Sequence, residues 1–419
     1  MLNRSIAPPF TRSIDFELIR PRTEVLANGL PMFIVSGGSQ EVVRVEFLMR
    51  AGRWFETTWG AAYFAANLLS KGTSTKSSYE IAQYFDQYGA HFEVSAGLDV
   101  VSLSLYTLTK NLAPTLALVR ELLEDSTFPE KELTQLKSIY IQNLRVNQEK
   151  TSFQAGKLIR RSLFGEAHPY GKELEEKEVE ALTREQLVQH LQAYGKDLVV
   201  FASGRVNDAT AQILRETLST LTVLPGAPKT IEPMYALPSH QYQKKEGSMQ
   251  SSIRMGRKSI GRAHPDYASV LLINHILGGY FGSRLMKNIR EDKGLSYGIY
   301  SSLQTLQHEN YLVIGADVNN ENLEMTFAEI RKELGRLYTE PVGAEELEMA
   351  RNHFIGSLQS EITTPFAHAE KIKNIFLYGL PADYYQKLIH TLDSLTAAQL
   401  MQTARNYFEE DSFFEVAVG

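Results

Sequence analysis

The chain has 419 residues, 43% of them hydrophobic, with a net charge of −6 and no cysteine. That length exceeds what a single core usually sustains, so two or more domains are expected, and mild acidity without a basic run argues against a nucleic-acid partner. The absence of cysteine excludes disulfides, thiolate metal ligands and a cysteine nucleophile.

The first twenty residues lack the apolar run of a signal peptide. No later segment offers the roughly 18 consecutive apolar residues of a membrane span. A cytoplasmic protein with no membrane partner is therefore expected. After a proline-rich start, Asn28-Gly29 marks a turn between short strands at Val25-Leu26 and Pro31 to Val35, and Val43 to Met49 follows as a third strand. Gly60 to Ser70 is an apolar helical run. Ser78 to Tyr88 sets Ile81, Phe85 and Tyr88 on one helix face and stops at Gly89. Phe92 to Ser95 and Val100 to Thr107 alternate around Gly97 as a hairpin. Helices are expected from Leu112, from Pro129 toward Glu149, and over Arg184 to Tyr194, before a strand at Leu198 to Ser203.

Leu224 to Ser239 holds five prolines or glycines with little periodicity and reads as a linker. Three segments follow from this: an N-terminal domain over residues 1–223, a linker over 224–239 and a C-terminal domain over 240–419. Beyond the linker the same order recurs. Ser251 to Met255 is a strand and Asp266 to Leu277 a helix. Tyr311 to Val318 completes a hairpin, and Leu323 to Leu337 is an amphipathic helix. Pro341 precedes a long helix, and the chain closes with a helix at Ala397 to Tyr407 and a strand at Phe413 to Val418. Leu182-Thr183 with Gln186-Leu187 is echoed 213 positions later by Leu395-Thr396 with Gln399-Leu400, and Glu132-Leu133 by Glu346-Leu347 at an offset of 214. Element order and offsets together predict an internal duplication of two α+β domains, each a mostly antiparallel sheet with helices packed on it.

The densest pattern lies in Leu277 to Ser302, LGGYFGSRLMKNIREDKGLSYGIYSS. It reads as loop, short helix with Ser283 as N-cap, glycine turn at Gly294, and strand. Arg290 and Tyr297 lie seven residues apart across that turn. They could face one cavity, or be a solvated charge and a packed aromatic; by spacing alone one Arg and one Tyr are a weak signal that favours the second reading.

With both halves laid out, the chain resembles the M16 peptidase family, of pitrilysin and mitochondrial-processing-peptidase type. The matching segments are Asn28-Gly29-Leu30, Gly60 to Thr73, Phe128-Pro129, His168-Pro169-Tyr170-Gly171 and Asn274 to Tyr300. The resemblance implies two homologous halves facing across a cavity, the M16/LuxS-like arrangement. It also implies an inverted zinc motif, H-x-x-E-H, on a helix of the first half, with a third ligand from a second helix. Here that motif is degraded: the His positions fall at Tyr63 and Asn67, the Glu at Ala66, and the third ligand at Asn143. A phenol, amides and a methyl group are not a zinc ligand set. The ten His are scattered, the nearest pair being His264 and His275, so no replacement site is expected. Arg290 and Tyr297, by contrast, occupy the positions with which the family binds the substrate backbone. The resemblance therefore implies a non-catalytic, substrate-binding subunit with no cofactor of its own. Such a chain would pair with a zinc-bearing M16 subunit as a heterodimer, or with itself, to hold unfolded peptide. The alternative is an inactive scaffold or peptide-holding protein.

Overall fold

Gly29, at φ 84°, turns the chain so that Arg22–Val25 (β1) pairs antiparallel with Pro31–Ser36 (β2), Val25 opposite Pro31. A left-handed backbone at the second turn position is cheap only for glycine, which is why Asn-Gly carries the signal. The computed structural model describes residues 16–232 and 236–419; the proline-rich start and Pro233 of the linker lie outside them. Val42–Met49 (β3), His91–Ala96 (β4), Val101–Leu108 (β5) and Leu198–Gly204 (β6) complete a six-stranded sheet in the order β1-β2-β6-β3-β5-β4. His240–Gln243 (β7), Gln250–Ser259 (β8), Ser296–Thr305 (β9), Asn310–Asn319 (β10) and Phe414–Val418 (β11) form a five-stranded sheet, β7-β11-β8-β10-β9. Among the described residues only β2 with β6 and β7 with β11 run parallel. The protein is α+β, with two mostly antiparallel sheets covered by helices.

The repeated strings have a structural reason. Thr183 and Thr396 each cap a helix, 184–194 and 397–407, by accepting from the backbone of Gln186 and Gln399, whose side chains reach back to the cap residue. Such reciprocal capping satisfies two donors that a helix start would leave open. Each sheet has its own apolar core. Val43, Val45, Phe47, Leu103 and Phe64 are fully buried in the first, and Met255, Ile314, Leu272 and Ile330 in the second.

Two helices missed in the sequence join the halves. Helix 151–164, from the first half, packs on β8 and β11 of the second sheet, and helix 365–377 packs on β2 and β6 of the first. Each crossing has its own chemistry. Gly256 on β8 admits Ile159, since a Cβ there would stand 3.0 Å from the Ile159 side chain. On the other side Phe33 stacks on Phe201 at 4.9 Å and meets Phe376 edge-on at 5.3 Å. Beside them Arg44 bonds Glu370 at 2.7 Å and Lys373 bonds Glu46 at 2.7 Å, with Arg44 and Glu46 buried. The tip of the β9–β10 hairpin also docks on the first half: His308 stacks on Trp54 at 3.8 Å, and the Gln307 amide donates to Asp99 at 3.0 Å.

Candidate functional site

Two positions hold the side chains singled out in the sequence. The first is helix 61–68, which packs against β4 and the helices at 130–148 and 184–194. Its N-terminus is anchored by buried Glu56, which accepts from the Gly60 and Ala62 amides at 3.1 and 2.8 Å. Burial raises the carboxyl's pKa despite those bonds. Lys229 donates to the Glu56 carbonyl at 2.6 Å, with its own pKa lowered by burial. Along the helix, Ala66 is fully buried. Asn67 spends its amide on the Tyr63 carbonyl at 2.8 Å. Asn143, on helix 130–148, is exposed.

The sequence reading missed Tyr140, one turn before Asn143. Its ring lies 5.1 Å from Tyr63 and 5.3 Å from Phe64. Burial pushes the Tyr140 phenol up to about 12 and raises that of Tyr63 as well. A phenol, a methyl group and an amide already donating to the helix backbone offer no imidazole or carboxylate to a metal. Tyr63, Ala66 and Asn67 thus do not fit a zinc ion, and among the described residues no three His, Asp or Glu side chains cluster to hold a metal.

The second position lies in the other half, around Arg290 and Tyr297. The helix ahead of the glycine turn is of π type over Met286–Asp292, and its wider turns are tied down at both ends. Buried Arg284 is held bidentate by Glu346 at 2.7 and 2.8 Å, and Asn288 donates to Glu329 and Glu333 at 2.9 and 2.7 Å. The expected cap bond of Ser283 does not form: its hydroxyl is buried without a partner. Gly294, at φ 61°, reverses the chain into β9.

At the start of β9 the register slips. Ser296 faces Val318 but Ile299 faces Ala316, so β9 carries one extra residue at Tyr297-Gly298 opposite Asp317. A bulge of this kind re-aims its side chains, and Tyr297 is 92% exposed. Arg290 and Tyr297 line one shallow depression of about 550 Å³ with Gln250, Ser296, Asp317 and Asn319. The structure therefore brings the pair together: the Arg290 guanidinium carbon lies 5.5 Å from the Tyr297 ring centroid and 4.9 Å from that of Phe281. Phe281, 59% exposed in the glycine-rich loop, was not singled out in the sequence; an exposed aromatic between Gly279 and Gly282 was the available signal.

The His expected to be scattered are partly gathered by folding. His275 meets His353, 78 residues away, at 3.1 Å, and burial followed by the His353 charge lowers its pKa to about 4. Among the described residues no third His, Asp or Glu joins this pair to hold a metal.

Residues 33–176 match the family described as insulinase, peptidase family M16, and residues 181–354 match the peptidase M16 inactive domain. The chain belongs to the M16 peptidase family. It is 22% identical over 391 residues to the uncharacterized zinc protease YmxG of Bacillus subtilis, covering 92% of this chain and 95% of that one. It is also 22% identical over 351 residues to the non-peptidase homolog YmxG of Helicobacter pylori, covering 81% and 80%. A crystal structure described as a peptidase M16 inactive domain from Pseudomonas fluorescens superposes with a TM-score of 0.88 at 24% identity, covering 95% of this chain and 98% of that one. Among the described residues no helix is long and apolar enough to cross a membrane.

Proposed function

We propose that this chain is a non-catalytic, substrate-binding subunit of a two-chain M16-type zinc peptidase, supplying Arg290 and Tyr297 to a zinc site held by a partner. One contrast carries the reading. The zinc-motif helix of the first half is closed by aromatic packing between Tyr63 and Tyr140, while Arg290 and Tyr297 stand together beside an open depression. A guanidinium and a phenol aimed at a peptide carbonyl can hold an extended substrate and stabilise charge that develops on its oxygen. The description of one relative as a non-peptidase homolog agrees with a chain that does not cut peptides alone.

A zinc-bearing M16 subunit as heterodimeric partner, unfolded peptide as ligand and a cytoplasmic location remain parts of this proposal. So do the three-segment division at 223 and 239 and the absence of a cofactor of its own. The experiment is metal analysis and peptide cleavage with the purified chain, alone and mixed with its cognate zinc subunit. The reading expects no tightly bound zinc and no cleavage alone, and cleavage by the mixture. About one zinc per chain, lost on chelation together with activity, would overturn it.

A second reading, a peptide-holding scaffold that never joins a peptidase, is favoured by one observation: the Phe281, Arg290 and Tyr297 contacts are complete within this chain. Binding of unfolded peptide by the chain, with no gain of cleavage on adding a zinc subunit, would select it.

A further inference from the structure

Arg262, in the turn after β8, is half-buried, and among the described residues no carboxylate pairs with it. Arg215, Arg284 and Arg331 are by contrast each gripped through two nitrogens by a glutamate. The groups that bear on Arg262 are four phenols, those of Tyr267, Tyr378, Tyr384 and Tyr385, and its guanidinium carbon lies 5.0 Å from the centroid of the Tyr378 ring. A phenol brings no negative charge at neutral pH, and burial pushes the phenols of Tyr267 and Tyr384 further up. The charge on Arg262 is therefore uncompensated, an unfavourable state for a cation withdrawn from water.

Two hydrogen-bonding groups of the same cluster are left over. Arg262 Nε and the Tyr384 hydroxyl are both buried, and among the described residues neither has a hydrogen-bond partner, although Arg262 is close enough for its charge to act on that phenol. Tyr384 is only 9% exposed. Orphaned buried donors are rare in native interiors and point to a water or an ion. A water would satisfy the hydrogen bonds and leave the charge as it is, whereas an anion answers both. Nε and the Nη beside it form one edge of a guanidinium, an edge that matches two oxygens of an oxyanion. Tyr385 also lines a cavity of about 860 Å³ between residues 16–21 and helices 365–377 and 384–394, so solvent reaches the edge of the cluster.

We infer that Arg262 and Tyr384 form a binding site for a small oxyanion, the chemistry that phosphate and carboxylates share. The site lies where the second half takes hold of the first. Tyr378 caps the C-terminal end of helix 365–377, which packs on the first sheet, and its hydroxyl donates to the Thr305 carbonyl at 2.6 Å. Thr305 ends β9 just before Gln307, whose amide bonds Asp99 of the first half. An oxyanion bound here strengthens the joint between the halves, and it does so whether or not the chain holds peptide.

The test titrates the full chain with inorganic phosphate, acetate and chloride, followed by calorimetry and by thermal unfolding, with ionic strength held constant by a bulky sulfonate. Wild-type chain is expected to bind phosphate or acetate saturably at one site per chain. Its unfolding midpoint should rise by about 3 °C at a hundredfold excess over Kd. Arg262→Met should abolish the effect and, without the anion, unfold no earlier than wild type, because the lone charge is gone; an arginine that merely packs would lose stability in every buffer. Tyr384→Phe should weaken binding about fivefold, and this titration decides the matter if Arg262→Met does not fold. Binding of phosphate alone or acetate alone supports the site and tells the two sources apart. No saturable binding, an equal effect of chloride, or full retention of the effect in Arg262→Met or Tyr384→Phe overturns it.

Discussion

The ring of Tyr63 rests 5.1 Å from the ring of Tyr140, an aromatic contact that joins helix 61–68 to helix 130–148. Tyr63→Ala and Tyr140→Ala should each cost about 2 kcal/mol in urea unfolding, as half-buried aromatics do. The double variant should show a coupling energy of about 1 kcal/mol. Strict additivity would mean that the two rings do not support each other.

The exchange of helices 151–164 and 365–377 between the sheets makes each half a part of the other's packing. Heat or urea should therefore give one cooperative transition followed alike by fluorescence and circular dichroism. Gly256→Val, which pushes Ile159 off β8, should lower the midpoint without splitting it. Two resolved transitions in the wild-type chain would show that the halves are independent.

The ionic cluster between the halves should be unforgiving of single changes. Glu46 is buried, with Lys373 at 2.7 Å and Arg44 at 3.5 Å; Lys373→Met removes the nearer of its two cations and should cost about 2 kcal/mol. Adding Glu46→Gln should recover most of the loss, because the stranded charge is then gone. A second change as costly as the first would mean that Glu46 draws its stability from other partners.

Acid should weaken the fold before its carboxylates titrate. The folded pKa of His275, about 4, lies below the ordinary value near 6.5, so between these values the unfolded chain binds the proton and the folded one does not. The stability from this residue is complete above pH 6.5 and is lost as pH falls toward 4, by up to about 3 kcal/mol. His168 and His190, also lowered by burial, act in the same direction. His275→Gln should reduce the slope of stability against pH in this window, and an unchanged slope would remove His275 as its source.

Much of the fold was legible because its signals are local. Asn28-Gly29, Gly89 after helix 78–87, and the strings around Thr183 and Thr396 act within a few residues of themselves. Helices 151–164 and 365–377 were missed because their apolar faces match sheets of the opposite half, which no nearby residue announces. The same holds at the site. Arg290 and Tyr297 were legible from their spacing and resemblance, while Tyr140 and Phe281 matter through contacts across helices and loops. Ser283 carried a capping signal, yet its hydroxyl makes no cap bond.

The most direct test of the central claim places the variants in trans. Wild-type chain, Arg290→Ala and Tyr297→Phe are each mixed with the zinc-bearing subunit, and cleavage of an unfolded peptide is followed at matched subunit concentrations, with complex formation checked by gel filtration. The account predicts intact complexes in which Arg290→Ala lowers kcat/KM by about a hundredfold and Tyr297→Phe by about tenfold, as the loss of donors to a developing oxyanion would. Variant complexes that cleave at the wild-type rate would contradict it.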